Sequence, residues 1–249
     1  MGDFNGDGIP DLGVGNSYDS TVSILLGLGD GSFRPAVTDP SAGSSAVAVG
    51  DFNGVGKLDL VTANCACVQS CAASVSILLG NGDGRFQAPI TSVIGHEGAS
   101  SLAVADFNGV GKADLAVIIG DTFTGATNVV TILLGNGNGT FQPPVTYPTG
   151  NGLDGTDGQF PYGGLVQATN GNFYGTALKG GASDYGTVFS IMSGGTLTTL
   201  LSFDSTDGAY PTAATDWLAE SLRTVKRSEH LRKKLDRFNA SLHAAFIFS

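Results

Sequence analysis

One nine-residue loop occurs three times in the chain, as Asp3-Phe-Asn-Gly-Asp-Gly-Ile-Pro-Asp11, Asp51-Phe-Asn-Gly-Val-Gly-Lys-Leu-Asp59 and Asp106-Phe-Asn-Gly-Val-Gly-Lys-Ala-Asp114. Side-chain oxygens stand at loop positions 1, 3 and 9 in every copy, glycine stands at position 6, and the first copy adds a carboxylate at position 5. Glycine lets so short a loop turn back on itself, and clustered carboxylate and amide oxygens are the donor set of a hard cation, Ca²⁺ above all. A chain that reuses the loop must reuse the unit around it, so the fold is constrained to tandem copies of one small motif.

The copies start 48 and 55 residues apart, and a second motif follows each: Leu25-Leu-Gly-Leu-Gly-Asp-Gly-Ser-Phe33, Leu78-Leu-Gly-Asn-Gly-Asp-Gly-Arg-Phe86 and Leu133-Leu-Gly-Asn-Gly-Asn-Gly-Thr-Phe141. Short apolar runs at Ser45–Gly50 and Leu102–Ala105 lead into the loops, and Leu58–Ala63 and Ala113–Ile119 lead out. Val75–Leu79 and Val129–Leu134 each end in a Gly-Asn-Gly turn, after which the chain resumes at Phe86 or Phe141 as in a hairpin. Four short strands per ~50 residues, in tandem, are the signature of a propeller blade. The chain therefore reads as all-β, an incomplete β-propeller of four-stranded antiparallel sheets, with blades over 1–41, 42–96 and 97–150. Met1 aligns with Val49, so the 1–41 blade is expected to lack its first strand. The chain accordingly reads as part of a longer protein, with further blades and any export signal upstream.

Beyond Gly150 the pattern changes. Thr156-Asp-Gly-Gln-Phe-Pro161 returns as Thr206-Asp-Gly-Ala-Tyr-Pro211, and between them Gly163–Gln167, Asn172–Thr176, Tyr185–Ile191 and Thr196–Phe203 read as four more short strands. Residues 151–215 are thus a second β repeat and the start of another. Phe160, Tyr162, Phe173, Tyr174, Tyr185 and Tyr210 fit its core better than a sugar-binding face. Residues 216–249 contain no glycine, and Leu218, Leu222, Val225, Leu231, Leu235, Phe238, Leu242 and Phe246 recur mostly at steps of three and four. That spacing predicts a basic amphipathic helical tail.

The net charge of −10 is unevenly spread, with 5 Lys/Arg against 18 Asp/Glu in residues 1–215 and 7 against 4 in residues 216–249. An acidic body argues against nucleic acid as a partner, because phosphate neutralisation needs a basic surface. No run approaches the ~18 apolar residues of a membrane span, which argues against insertion. Cys65, Cys67 and Cys71 are the three cysteines; two of them could pair in an oxidising compartment, and a fourth zinc ligand is missing nearby. His96-Glu97 lacks the second histidine of a zinc-protease helix, and the Gly-Val-Gly-Lys stretches ending at Lys57 and Lys112 lack the rest of a phosphate loop. No catalytic constellation emerges, and the chain reads as a non-enzyme.

The Asp-Phe-Asn-Gly loop joined to Leu-Leu-Gly-Asn-Gly-Asp-Gly-x-Phe resembles the FG-GAP/VCBS repeat family, the class that includes the integrin α-subunit propeller, over about residues 1–150. The resemblance implies a β-propeller, Ca²⁺ in the Asp loops, and adhesion or recognition of a protein or glycan at the cell surface. Residues 154–211 resemble the bacterial GLOVER (Gloeo/Verruco) repeat, which implies architecture more than chemistry.

In such loops the expected ligands are side chains at positions 1, 3, 5 and 9 and the carbonyl at position 7. These are Asp3, Asn5, Asp7, Ile9 and Asp11; Asp51, Asn53, Lys57 and Asp59; and Asp106, Asn108, Lys112 and Asp114. Val55 and Val110 offer no oxygen at position 5, so the second and third loops are weaker candidates, with Lys57 and Lys112 lending a carbonyl while their ammonium groups point to solvent. The competing reading of every copy is a hydrogen-bonded Asx-turn that needs no ion. The whole reads as an extracellular, non-catalytic Ca²⁺-binding repeat. An alternative is a spacer or targeting module of an exported enzyme, such as a polysaccharide-degrading one, whose catalytic domain is not in this chain. Three blades cannot close a ring, which takes ~4–8, so an open sheet edge and self-association are expected.

Overall fold

Every regular element described is a β-strand. The computed structural model describes residues 1–40, 44–64, 72–95, 98–119, 128–150, 158–159, 166–167, 172–192, 197–204 and 206. The expected helical tail, the three cysteines and His96-Glu97 lie outside these residues. Among the described residues no helix is long and apolar enough to cross a membrane. The chain divides into two compact units, Met1–Gly120 with Val130–Thr146, and Asp121–Val129 with Tyr147–Ser249.

The first unit is built on three antiparallel sheets in chain order. Sheet one holds β1 (Leu12–Asn16), β2 (Thr21–Leu25) and β3 (Val37–Pro40), in the order β1-β2-β3. Sheet two holds β4 (Ser44–Gly50), β5 (Asp59–Asn64), β6 (Ser74–Leu78) and β7 (Ile90–Val93), ordered as they occur. Sheet three repeats the plan with β8 (Ala99–Ala105), β9 (Asp114–Ile119), β10 (Asn128–Leu133) and β11 (Val145–Gly150). Each is a meander of adjacent hairpins. The Asp loop joins the first two strands of sheets two and three, with Gly50 opposite Asp59 and Ala105 opposite Asp114 at the closing rungs. In sheet one only the equivalent closing rung, Gly2 opposite Asp11, precedes β1.

Burial explains the strand sequences. All six residues of β5 and all six of β9 are buried, so both sheet faces are covered; after its aspartate β9 is wholly apolar, Leu-Ala-Val-Ile-Ile119, whereas β5 also buries Thr62 and Asn64, hydrogen-bonded to each other at 2.8 Å. In β2 only Val22 and Ile24 are buried, alternating with partly exposed Thr21, Ser23 and Leu25, because one face of sheet one is open. The covered face forms a core of Phe4, Val22 and Ile24 against Leu60 and Leu78, flanked by Leu26, Val47, Val49, Leu58 and Phe86. Each fully buried side chain of this kind contributes roughly 1.5–3 kcal/mol.

The second repeat motif is a tight hairpin bend that ends in a single bridge before the outer strand. Gly27 bridges Phe33, Gly80 bridges Phe86 and Gly135 bridges Phe141. The outer strands begin a few residues later, at Ile90 and Val145, not at the phenylalanines where the hairpins were expected to resume. Phe86 and Phe141 pack against phenylalanines of the preceding repeat instead.

In the second unit β13 (Val166–Gln167), β14 (Phe173–Ala177), β16 (Thr187–Ile191) and β17 (Leu197–Ser202) form one four-stranded antiparallel sheet in the order β13-β14-β16-β17. Phe173 and Tyr174 are buried in it, at 1 % and 3 % exposure, as core residues rather than a sugar platform. A two-stranded ribbon of β12 (Gly158–Gln159) and β15 (Lys179–Gly180) has no forerunner in the sequence reading.

Candidate metal loops and their blade latches

The three Asp loops share one geometry, in which the aspartates at the two ends do different work. At position 1, Asp3 accepts the N–H groups of Gly6 at 2.7 Å, Asp7 at 3.2 Å and Gly8 at 2.8 Å. Asp51 does the same for Gly54, Val55 and Gly56, and Asp106 for Gly109, Val110 and Gly111. The glycines at positions 4 and 6 hold φ between 72° and 80°, a left-handed backbone that turns consecutive amides toward one carboxylate. The Gly8 N–H first, then those of Gly6, Asp7 and Asn5, hold the Asp3 carboxyl below the ordinary carboxylate range despite some desolvation. Gly111 leads the same effect at Asp106.

Position 3 closes an Asx-turn inside the loop. Asn5 Oδ1 accepts the Asp7 N–H at 2.9 Å, and Asn53 and Asn108 accept from Val55 and Val110 at 3.2 Å. In the first loop Asp7 also accepts the Ile9 N–H at 2.8 Å and the Asn5 amide at 2.9 Å.

At position 9 the aspartates are 0 % exposed. Each spans two backbone donors from different parts of the repeat. Asp11 accepts from Phe4 and Gly27 at 2.8 Å each, Asp59 from Phe52 and Gly80 at 2.8 Å each, and Asp114 from Phe107 at 2.8 Å and Gly135 at 2.6 Å. One buried carboxylate therefore ties the Asp loop to the glycine bend of its own repeat. Burial pushes the Asp59 carboxyl up, the N–H groups of Gly80 and Phe52 pull it back, and the Asp51 charge adds to the rise.

A second device joins successive sheets. The Gly84 N–H donates to the Phe4 carbonyl at 2.9 Å, and Gly139 does the same for Phe52 at 2.9 Å. The rings follow: Phe4 meets Phe86 edge-on at 5.5 Å and 72°, and Phe52 meets Phe141 at 6.0 Å and 74°. The Asp-loop phenylalanine of one repeat is thus latched to the bend of the next.

Among the described residues no three Asp, Glu, His or Cys side chains converge as a metal-holding group. The oxygens expected to face an ion are turned onto backbone amides. A carboxylate oxygen has two lone pairs, so an oxygen holding one N–H can still take a cation. Asp3 Oδ2, Asn5 Oδ1 and the Asp7 oxygens each accept one such hydrogen bond, and their chemistry fits a hard cation. Lys57 departs from expectation. Its ammonium donates to the Asn81 carbonyl at 2.6 Å instead of pointing to solvent, and its stem covers Gly82.

Tandem antiparallel sheets of three or four strands, each carrying an aspartate loop, with the loop phenylalanine of one latched to the glycine bend of the next, define a class of repetitive β protein. The model of the FG-GAP-like repeat matches the chain twice, over residues 3–62 and 56–117, and this part of the chain belongs to that family. No curated protein matches the chain.

Proposed function

We propose that this is a non-catalytic, calcium-binding β-propeller repeat protein whose blades display loops for adhesion or recognition of a protein or glycan at the cell surface. The observation that carries it is the threefold aspartate loop, folded alike each time on sheets of the FG-GAP-like repeat family. The first loop is the calcium site of choice, with Asp3, Asn5, Asp7, the Ile9 carbonyl and Asp11 as ligands, because it alone has a position-5 carboxylate. Asp51, Asn53, Lys57 and Asp59, and Asp106, Asn108, Lys112 and Asp114, make weaker sites of the same kind. A bound ion would neutralise the paired end carboxylates and brace the loop, and no chemistry beyond that is assigned to it.

Extracellular sites bind at ~10⁻⁴–10⁻³ M, so about 1 mM Ca²⁺ would add roughly 0.4–1.4 kcal/mol per site. The test is thermal unfolding of the full chain in Ca²⁺ and in EDTA. A rise of about 1–5 °C in Ca²⁺, smaller in Asp7→Ala, is expected. Identical melting in both solutions would defeat the calcium reading while leaving the fold untouched.

A further inference from the structure

We propose that Asn81-Gly82 is a site of spontaneous covalent modification, at which the chain converts its own asparagine to aspartate and isoaspartate with Lys57 as the promoting group. Asparagine is a chemically labile residue, most of all before glycine, whose nitrogen can swing unhindered onto the side-chain amide. Six Asn-Gly steps lie among the described residues, beginning at Asn5, Asn53, Asn81, Asn108, Asn136 and Asn138.

The fold sorts these steps by what holds the glycine N–H, whose proton must leave before the nitrogen can attack. Gly6, Gly54 and Gly109 donate theirs to the aspartate at loop position 1, at 2.7, 2.7 and 2.8 Å. Gly139 donates to the Phe52 carbonyl at 2.9 Å. Asn5, Asn53 and Asn108 are held a second time, because each side-chain oxygen accepts a backbone N–H. Among the described residues no acceptor takes the N–H of Gly82 or of Gly137. The Asn136 amide donates to Thr140 Oγ1 at 2.9 Å, whereas the exposed Asn81 side chain has no hydrogen bond among the described residues. Of the six, only Asn81-Gly82 leaves both reacting groups unheld.

Lys57 adds an activating contact. Its ammonium donates at 2.6 Å to the Asn81 carbonyl, the oxygen of the same amide whose nitrogen would attack. A cation there draws density out of the amide and stabilises the anion left when Gly82 gives up its proton. The lysine stem lies along Gly82, its Cε 3.0 Å from where a Cβ would stand, and this keeps the ammonium on that peptide group.

The reaction needs only water. Hydroxide takes the Gly82 proton, and the nitrogen bonds to Cγ of Asn81. The bond from Cγ to Nδ2 then breaks, and the nitrogen leaves as ammonia with a hydrogen from water, which restores the hydroxide. Water opens the cyclic imide at one of its two carbonyls, giving aspartate or isoaspartate. Isoaspartate adds a methylene to the main chain inside the bend, between the Asn81 N–H that pairs with Arg85 and the Gly84 N–H that pairs with Phe4. The change therefore falls in the latch between sheets one and two.

The experiment incubates the full chain in EDTA at neutral pH and physiological temperature, digests it, and follows each Asn-Gly peptide by mass, with isoaspartate identified by fragmentation. Asn81 should convert at least about tenfold faster than Asn53 and Asn108, whose glycine N–H groups must first leave a carboxylate. Lys57→Met keeps the stem without the charge and should slow Asn81 several-fold while leaving Asn136 unchanged. Lys57→Arg keeps the charge and should stay fast, and an unchanged Asn53 rate in either variant shows that the loop has stayed folded. In strong urea the gap between Asn81 and Asn53 should vanish. Equal rates at Asn81 and Asn53 in the folded chain would overturn the site. An Asn81 rate unmoved in Lys57→Met would overturn the part given to Lys57. A gap that persists in urea would show the ranking to belong to the local sequence instead of the fold.

Discussion

Replacing Asp59 by asparagine exchanges one oxygen for an amide nitrogen, with almost no change of shape. The side chain is fully buried and spans the N–H groups of Phe52 and Gly80, both at 2.8 Å. Asparagine can satisfy one of these donors and must aim its own N–H₂ at the other. One backbone donor and one side-chain donor then lie buried without an acceptor, at about 1–3 kcal/mol each. The gross cost is roughly 2–6 kcal/mol by the same figure, partly offset because a charge repelled by Asp51 is no longer buried. We expect a net loss of about 2–4 kcal/mol, against a total stability on the order of 5–15 kcal/mol.

Urea unfolding of the full chain in EDTA reads this directly, as a lower midpoint at unchanged slope. Asp51→Asn is the internal comparison. Its carboxylate also holds backbone donors, those of Gly54, Val55 and Gly56, but in an exposed part of the loop where water can replace it. Its cost should stay below about 1 kcal/mol. Amide exchange should accelerate at Phe52 and Gly80 in Asp59→Asn and at Gly54 to Gly56 in Asp51→Asn. If Asp59→Asn costs no more than Asp51→Asn, the buried carboxylate is not the staple described here.

Four further outcomes follow from the same geometry. Gly80→Ala should destabilise by at least about 1–3 kcal/mol in urea unfolding, because its Cβ would meet the Leu58 carbonyl oxygen, a backbone atom that cannot give way. Phe86→Leu keeps apolar bulk but loses the edge-on contact with Phe4, and should cost about 0.5–1.5 kcal/mol by the same measurement. Val55→Asp supplies the missing position-5 carboxylate, so calorimetric titration should find tighter Ca²⁺ binding than in the unaltered chain. Asp39 has a buried Oδ2 with no hydrogen-bond partner, and burial raises its carboxyl despite the Arg85 charge. A raised carboxyl favours the folded state when protonated and loses that contribution as pH climbs from its unfolded value, ~3.9, through its folded one. Asp39→Asn should therefore melt higher than the unaltered chain at pH 7, with the gap closing below about pH 4.

Strand positions were legible because repetition supplies its own comparison. Ser45–Gly50 and Leu58–Ala63 match β4 and β5 to within a residue at each end, and Val75–Leu79 matches β6 as closely. The start of β8 was missed by three residues, since Ala99-Ser-Ser101 carries no apolar signal and is drawn into the sheet by pairing with β9. The aspartate loops were legible as units, but the roles of their acids were not. Positions 1 and 9 are both aspartate in every copy. Only packing separates the partly or wholly exposed one that caps its own loop from the buried one that reaches across to Gly27, Gly80 or Gly135. A signal for the second role was present: the Leu-Leu-Gly motif recurs in step with the loop, and its first glycine is where the buried carboxylate ends.

The pattern of identity among the three loops follows from these bonds without an ion. Positions 1, 3 and 9 never vary, and each carries hydrogen bonds present in every copy. Position 5 is Asp7, Val55 or Val110, and in all three it is the backbone N–H that is held, by the aspartate at position 1 and the asparagine at position 3. A residue whose backbone does the work can change its side chain freely. Cation binding would then be a property that the first loop adds through Asp7 to a turn already complete in hydrogen bonds, whereas fixing the loop to its sheet falls to Asp11, Asp59 and Asp114. The two properties should separate experimentally. Asp7→Ala should reduce the effect of Ca²⁺ on melting with little change in EDTA, and Asp11→Asn should lower melting in EDTA itself. A chain in which both substitutions act only when Ca²⁺ is present would show that the ion, not the buried carboxylate, holds the loop.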